Sequence, residues 1–154
     1  MVIGRLNKKS DSLMRPKYET QKDRDNEAAA LAEACRRWEV NFITLPKLSC
    51  ADAILSRYGE GKAIVDVKVR WNRFGEYDNY KVSLEKVDNI RLVGELIKLR
   101  PYLIVQFTDC LTYLDLLCAN DIDPAWGRKD RNDPKDIEAA AVFDWAQFTK
   151  FRTE

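Results

Sequence analysis

Ala63-Ile64-Val65-Asp66-Val67-Lys68-Val69-Arg70-Trp71 alternates so regularly that it reads as a strand. Ala63, Val65, Val67, Val69 and Trp71 fall on one face, and Ile64, Asp66, Lys68 and Arg70 on the other. One face is wholly apolar. The other carries a carboxylate, an ammonium and a guanidinium in succession. A solvated surface strand has this pattern, and so has the floor of a site where a carboxylate holds a metal beside a lysine. The flanking segments must decide between them.

Asp52–Tyr58 reads as a second strand, joined to the first by the turn Gly59-Glu60-Gly61-Lys62. The hairpin carries Asp52 toward the end of the strand that holds Asp66 and Lys68. The facing pairs stay open, because a one-residue slip or a bulge moves every one of them. Val40–Leu45 reads as a further strand, ended by Pro46. A helix precedes it, from about Thr20–Asp23 to Trp38, and Thr20-x-x-Asp23 resembles a capping box. Leu31, Ala34 or Cys35, and Trp38 form its inward stripe, and Glu27 falls on that same face. An acid favoured by the helix dipole and an acid directed into a site beside the sheet both fit this phase.

Residues 70–81 interleave Arg70, Arg73 and Lys81 with Trp71, Phe74, Tyr77 and Tyr80. That composition suits base stacking and phosphate contact, and equally a loop packed onto the sheet by its aromatics. Ser83 is a good N-cap for a second amphipathic helix running to about Leu99. Lys86 lies in its first turn, where the helix dipole disfavours a cation. Either it has an anionic partner or it is exposed at little cost. Tyr102–Phe107 reads as a buried strand and Leu111–Leu117 as its antiparallel neighbour. Ala119–Lys135 reads as a loop, Ile137–Phe143 as a short strand or helix, and Asp144–Phe151 as a closing helix with Trp145, Phe148 and Phe151 inward.

Composition narrows the chemistry. The 154 residues, 45% hydrophobic and 33% charged, suit a single globular domain, here residues 20–154 after a polar arm over residues 1–19. The net charge of +1 names no bulk polyanionic partner, so nucleic-acid binding would need a local patch. No apolar run is long enough to span a membrane and the N-terminus lacks a signal-peptide core, so a cytoplasmic location is expected. There is no histidine, and Cys35, Cys50, Cys110 and Cys118 form no CxxC pair. This argues against a structural zinc site and against any histidine triad. Acid and base work would then fall to carboxylates, lysine, tyrosine or metal-bound water.

Helix, three strands, helix, strand, with acids at Glu27, Asp52 and Asp66 and a lysine two past Asp66, resembles the PD-(D/E)xK nuclease superfamily across residues 20–108. The resemblance implies an α/β, restriction-endonuclease-like αβββαβ core with a mixed central sheet flanked by helices. It matches Glu27 to the helix acid, Asp52 to the first motif acid and Asp66-Val67-Lys68 to the (D/E)xK tripeptide. Ala51 stands where that family often has a proline. The segments Gly127-Arg128-Lys129-Asp130-Arg131 and Asp136-Ile137-Glu138 resemble the tails of small Holliday-junction-resolvase-like or phage-encoded members.

Carried over, the likeness implies a divalent-metal-dependent DNA endonuclease, structure-selective for branched DNA, with Glu27, Asp52, Asp66 and Lys68 catalytic. Asp52, Asp66, the Val67 carbonyl and Glu27 would hold Mg²⁺ or Mn²⁺. Arg70, Arg73 and Lys86 would contact nucleic acid. A homodimer and a host-cytoplasmic location for a phage-encoded protein are further implications. Each residue also has an ordinary account: Asp66 and Lys68 as a surface pair worth under about 1 kcal/mol, Asp52 as a strand initiator, Glu27 as a dipole acid. A non-catalytic nucleic-acid-binding module on the same fold, and an interaction protein that merely shares the α/β pattern, are the competing functions.

Overall fold

Helix α1 (Gln21–Trp38) begins where the sequence places it. The Thr20 hydroxyl accepts from the Asp23 backbone N–H at 3.1 Å, and the Asp23 carboxylate accepts from the Thr20 N–H at 2.9 Å, closing a capping box. Three strands follow: β1 (Asn41–Thr44), β2 (Ala53–Arg57) and β3 (Glu60–Val69). Then come β4 (Tyr80–Ser83), helix α2 (Leu84–Ile97), β5 (Arg100–Gln106) and β6 (Leu111–Asp115). Short strands β7 (Ala125–Trp126), β8 (Ala139–Phe143) and β9 (Thr149–Lys150) complete the order. This computed structural model describes residues 20–121, the backbone of 125–126, and residues 139–152. The arm expected over residues 1–19, and Gly127 to Asp130, Arg131, Asp136, Ile137 and Glu138, lie outside the described residues.

The main sheet has the order β1-β2-β3-β5-β6-β9. Its β3–β5 pair is parallel and the other pairings are antiparallel, so the sheet is mixed. Joining parallel neighbours requires a crossover, and α2 supplies it. The expected αβββαβ core is therefore present. Alternation along β3 sorts the two layers. Ala63, Val65 and Val67 pack under α1 with Ala30, Leu31, Ala34 and Cys35. Ile64 packs on the other side with Val87 and Ile90 of α2, Leu103 and Val105 of β5, and Phe143 of β8.

Four expectations are corrected. Strand β3 stops at Val69, so Trp71 is not on the apolar face; it is 68% exposed. The hairpin turn is Tyr58-Gly59, with φ of 54° and 76°, rather than Gly59 to Lys62. Left-handed backbone at both central residues matches the strand twist of a two-residue hairpin, and glycine takes it without strain. Residues 80–83, read as the end of a loop, form β4, which joins β7 and β8 in a second sheet of order β4-β8-β7. The closing segment is a 3₁₀ turn (Trp145–Gln147) followed by β9, not a helix; its Phe148 is buried, as the apolar spacing implied.

The return from α2 into β5 is tight. Leu99 N–H donates to the Gly94 carbonyl at 2.9 Å, and a Cβ at Gly94 would lie 2.7 Å from the Leu99 carbonyl oxygen. Both atoms belong to backbone, so neither can step aside cheaply. Gly94→Ala should therefore lower unfolding stability by roughly 1–3 kcal/mol despite alanine's better helix propensity. Urea denaturation checks this, and a stabilised variant would show that the turn relaxes freely.

Candidate active site

The site begins with the hairpin register. Next to the turn, Arg57 pairs with Glu60 and Ser56 with Gly61. Continued unbroken, that register would set Asp52 opposite Val65, on the α1 face. A bulge intervenes: the pairing shifts between Leu55 and Ser56, so Leu55 faces Ala63 and Ala53 faces Val65. Extended by one residue, the shifted register opposes Asp52 and Asp66. Opposed residues on neighbouring strands share a face. The extra residue, Lys62, thus moves Asp52 to the side of the sheet that carries Asp66.

Asp52 is fastened there by its own atoms. Its N–H donates to the Val65 carbonyl at 2.9 Å, its carbonyl accepts from Leu45 at 2.8 Å, and its Oδ2 accepts from the Val67 N–H at 2.7 Å. The side chain thereby takes the place of the strand backbone that β2 no longer supplies. A residue's N–H and C=O leave a strand on the same side, so the Val67 carbonyl faces the edge where Asp52 sits.

Asp66 is 1% exposed. Lys86 Nζ lies 3.0 Å from its Oδ1 and Lys68 Nζ 3.5 Å from its Oδ2, yet neither oxygen has a partner in hydrogen-bond geometry. The ammonium groups therefore balance its charge without saturating its lone pairs. Lys86 has the anionic partner that its place in the first turn suggested. Ser83 caps that turn, accepting from the Lys86 N–H at 3.4 Å.

Burial raises the Asp52 carboxyl to about 7, and the charge and close approach of Asp66 act in the same direction. The Val67 N–H and the Lys86 charge only partly offset this. Lys68 moves the other way from what its surroundings first suggest. Burial disfavours its charged form, but Asp66, Asp52 and Glu27 outweigh burial and hold the ammonium above the ordinary lysine range.

Glu27 is half-buried in α1 and acts on Lys68 through charge. Among the described residues, no three Asp, Glu, Cys or His side chains converge closely enough to hold a metal ion together. Two acids converge instead. Arg70 continues the strand with its N–H on the Gln106 carbonyl at 2.8 Å, and its guanidinium lies 5.3 Å from the centre of the Tyr80 ring. Arg73 is set apart on the exposed 71–79 segment, 3.9 Å from Asp109.

Tyr80 was not singled out by sequence. Its hydroxyl is buried without a hydrogen-bond partner in good geometry, and burial raises its pKa, with the Arg70 charge opposing and the Asp66 charge adding. The alternation of Tyr80-Lys81-Val82-Ser83 before a helix cap was the available signal.

Hard carboxylate oxygens side by side suit a small divalent cation, which commonly takes one or two carboxylates and leaves its other positions to water and phosphate. The Asp66 oxygens, ion-paired but without a hydrogen bond in good geometry, and the raised Asp52 carboxyl fit that use: two covered carboxylates facing one another favour added positive charge.

Comparison with known proteins came to three findings. A family model described as "Phage putative PDDEXK endonuclease" matches residues 13–151. No curated protein matches in sequence. Among solved structures, the Holliday junction resolvase Hjc of Archaeoglobus fulgidus superposes with a TM-score of 0.55 at 8% identity, covering 81% of this chain and 91% of that one. At that identity the likeness concerns the fold.

The Asp52 shift carries a sign that can be tested. A carboxyl of ordinary value 3.8 when unfolded and about 7 when folded keeps its proton in the native state through that interval. Its ionisation therefore destabilises the fold progressively as pH rises from 3.8 to about 7. Asp52→Asn, which cannot ionise, should melt above the wild type at pH 8 in chelator-containing buffer, and this advantage should vanish toward pH 4. Calorimetry at the two pH values measures it; an advantage that grew toward acid would reverse the assignment.

Proposed function

The chain belongs to that phage PDDEXK endonuclease family, and from this premise we propose that it hydrolyses DNA phosphodiester bonds with a divalent metal ion, Mg²⁺ or Mn²⁺. The observation that carries the reading is the meeting of two covered carboxylates, Asp52 and Asp66, on one side of the sheet beside Lys68 and Lys86. Asp52, Asp66 and the Val67 carbonyl would hold the ion. When bound, such an ion offsets charge on phosphoryl oxygens and acidifies water, which supplies a nucleophile to a chain that lacks histidine.

The protein's own groups do the rest. Lys68, kept fully charged by the surrounding acids, orients the attacking water and stabilises charge building on the phosphoryl group. Glu27 maintains that charge from α1. Lys86 leaves or shares Asp66 according to what else neutralises it, and Arg70 receives a neighbouring phosphate. Branched DNA is the finer substrate reading, supported by the fold shared with a Holliday junction resolvase.

A second reading has its own observation. Two lysines already balance Asp66, as they would in a binding module that needs no metal. Titration calorimetry separates the two: Mn²⁺ binding near millimolar, lost in Asp66→Asn, supports the nuclease. DNA binding with no detectable metal binding supports the module.

Metal-dependent cleavage should fall at least about 100-fold in Asp66→Asn and in Lys68→Ala, with folded far-ultraviolet spectra retained. Undiminished cleavage by either purified variant would refute this assignment of the site.

A further inference from the structure

One segment enters the chemistry just described only through its first residue, Arg70. Residues 70–81 leave β3 and return as β4, and they carry the chain's interleaved cations and aromatics. Two of those aromatics are turned outward: Trp71 is 68% exposed and Tyr77 62% exposed. Large rings are seldom left so bare, although single exposed apolar residues are common. What distinguishes this pair is Arg70. It lines one recess together with Trp71, and also lines a separate cleft of about 640 Å³ with Tyr77, Tyr80 and Trp145. Arg70, the first residue past β3, thus belongs to two ring-bearing surfaces, with its guanidinium 5.3 Å from the centre of the Tyr80 ring.

The larger cleft is rigid where it needs to be. Trp145 donates its indole N–H to the Tyr77 carbonyl at 2.6 Å and packs against Phe74 with ring centres 4.9 Å apart. The Tyr77 backbone is therefore fixed while its side chain stays free. The volume lies in the range of small-ligand sites. Its charged rim is mixed: Arg70 and Lys81 are offset by Glu76 and Asp78. That balance disfavours a phosphate inside the cleft. It favours a neutral, flat group with polar edges, for which Asn72, Asn79 and Asp78 offer amide and carboxylate partners.

Resting on the nuclease reading above, we infer that this cleft and the Trp71 surface take unpaired bases of a single-stranded DNA segment beside the bond to be cut. Arg70 holds the phosphate between them. Paired bases are buried in the duplex stack and cannot present a face to a protein ring, whereas unpaired bases stack on exposed aromatics regardless of sequence. The substrate class is therefore DNA with an unpaired stretch adjoining the scissile phosphate, as at a flap, gap or branch point.

The test uses the full chain in chelator-containing buffer, where binding is read without cleavage. Fluorescence anisotropy is recorded with a labelled twelve-nucleotide oligo(dT) and with a blunt duplex. Trp71→Ala and Tyr77→Ala should each weaken oligo(dT) binding roughly fivefold or more while changing duplex binding less than twofold. Trp71→Phe and Tyr77→Phe, which keep a ring, should bind as the wild type does. Equal losses on both DNAs, or no loss on oligo(dT), overturns the inference.

A parallel cleavage assay with Mn²⁺ separates it from its premise. Duplex cleavage by a wild type that does not bind oligo(dT) overturns the cleft and leaves the nuclease. Ring-dependent oligo(dT) binding without cleavage of any DNA supports the cleft and overturns the nuclease.

Discussion

The pairing of Asp52 with Asp66 across the β2–β3 hairpin depends on one extra residue. Without the bulge at Lys62, the two-residue turn would propagate a register that points Asp52 into the α1 layer, among Ala30, Leu31 and Val65. A carboxylate there would have no cation and no free edge. With the bulge, Asp52 reaches the α2 side, and the end of β2 leaves the Val67 N–H for its side chain to claim. A turn far from the chemistry thereby determines whether the two acids meet at all.

Bringing two carboxylates together under cover creates a demand for positive charge that the rest of the site answers. Lys68 comes from the same strand and Lys86 from the first turn of α2. The helix dipole opposes Lys86 there, but a buried anion 3.0 Å away is the stronger and closer influence. The balance remains incomplete, since Asp52 holds its proton up to about pH 7 and the Asp66 oxygens have no hydrogen-bond partners. A site organised this way gives up stability in the metal-free state, and under the proposed function the deficit is what favours a divalent ion. Buried acids that were fully satisfied by the protein would have little left to offer one.

Much of this was legible in the chain. The capping box at Thr20, the Ser83 cap and the order of the core elements all follow from local chemistry, and the structure has them; of the two readings open for Lys86, an anionic partner or exposure, the structure has the partner. The register was not legible, because Lys62 is one polar residue at the exposed start of β3 and leaves no mark on the hydrophobic pattern. Trp71 misled because alternation describes a strand only while the strand lasts; β3 ends two residues earlier, where the chain turns away toward β4. The closing segment misled for a related reason. Trp145, Phe148 and Phe151 recur at helical spacing, but Phe148 has extended backbone (φ −82°, ψ 146°), and Phe151 joins Trp38 and Tyr113 while Trp145 and Phe148 pack together on Phe74. The second sheet was missed because β4 offers only four alternating residues beside a run of Gly, Asp and Asn.

The end of β3 divides the molecule electrostatically. At Asp66 and Lys68 the strand carries charge that is covered and paired within the fold. Beyond Arg70, charge is mixed and largely exposed, and rings replace aliphatic side chains. A polynucleotide has the same division within each unit: an anionic phosphate and a neutral aromatic base. Under the proposed function the phosphate would be drawn to Lys68, Lys86 and Arg70, while the mixed rim beyond Arg70 would exclude it and accept the base. Such sorting requires no base-specific hydrogen bond, so it discriminates by whether a base is free rather than by which base it is. On that proposal, selectivity for DNA structure would follow from the chemistry of one strand and the loop that continues it.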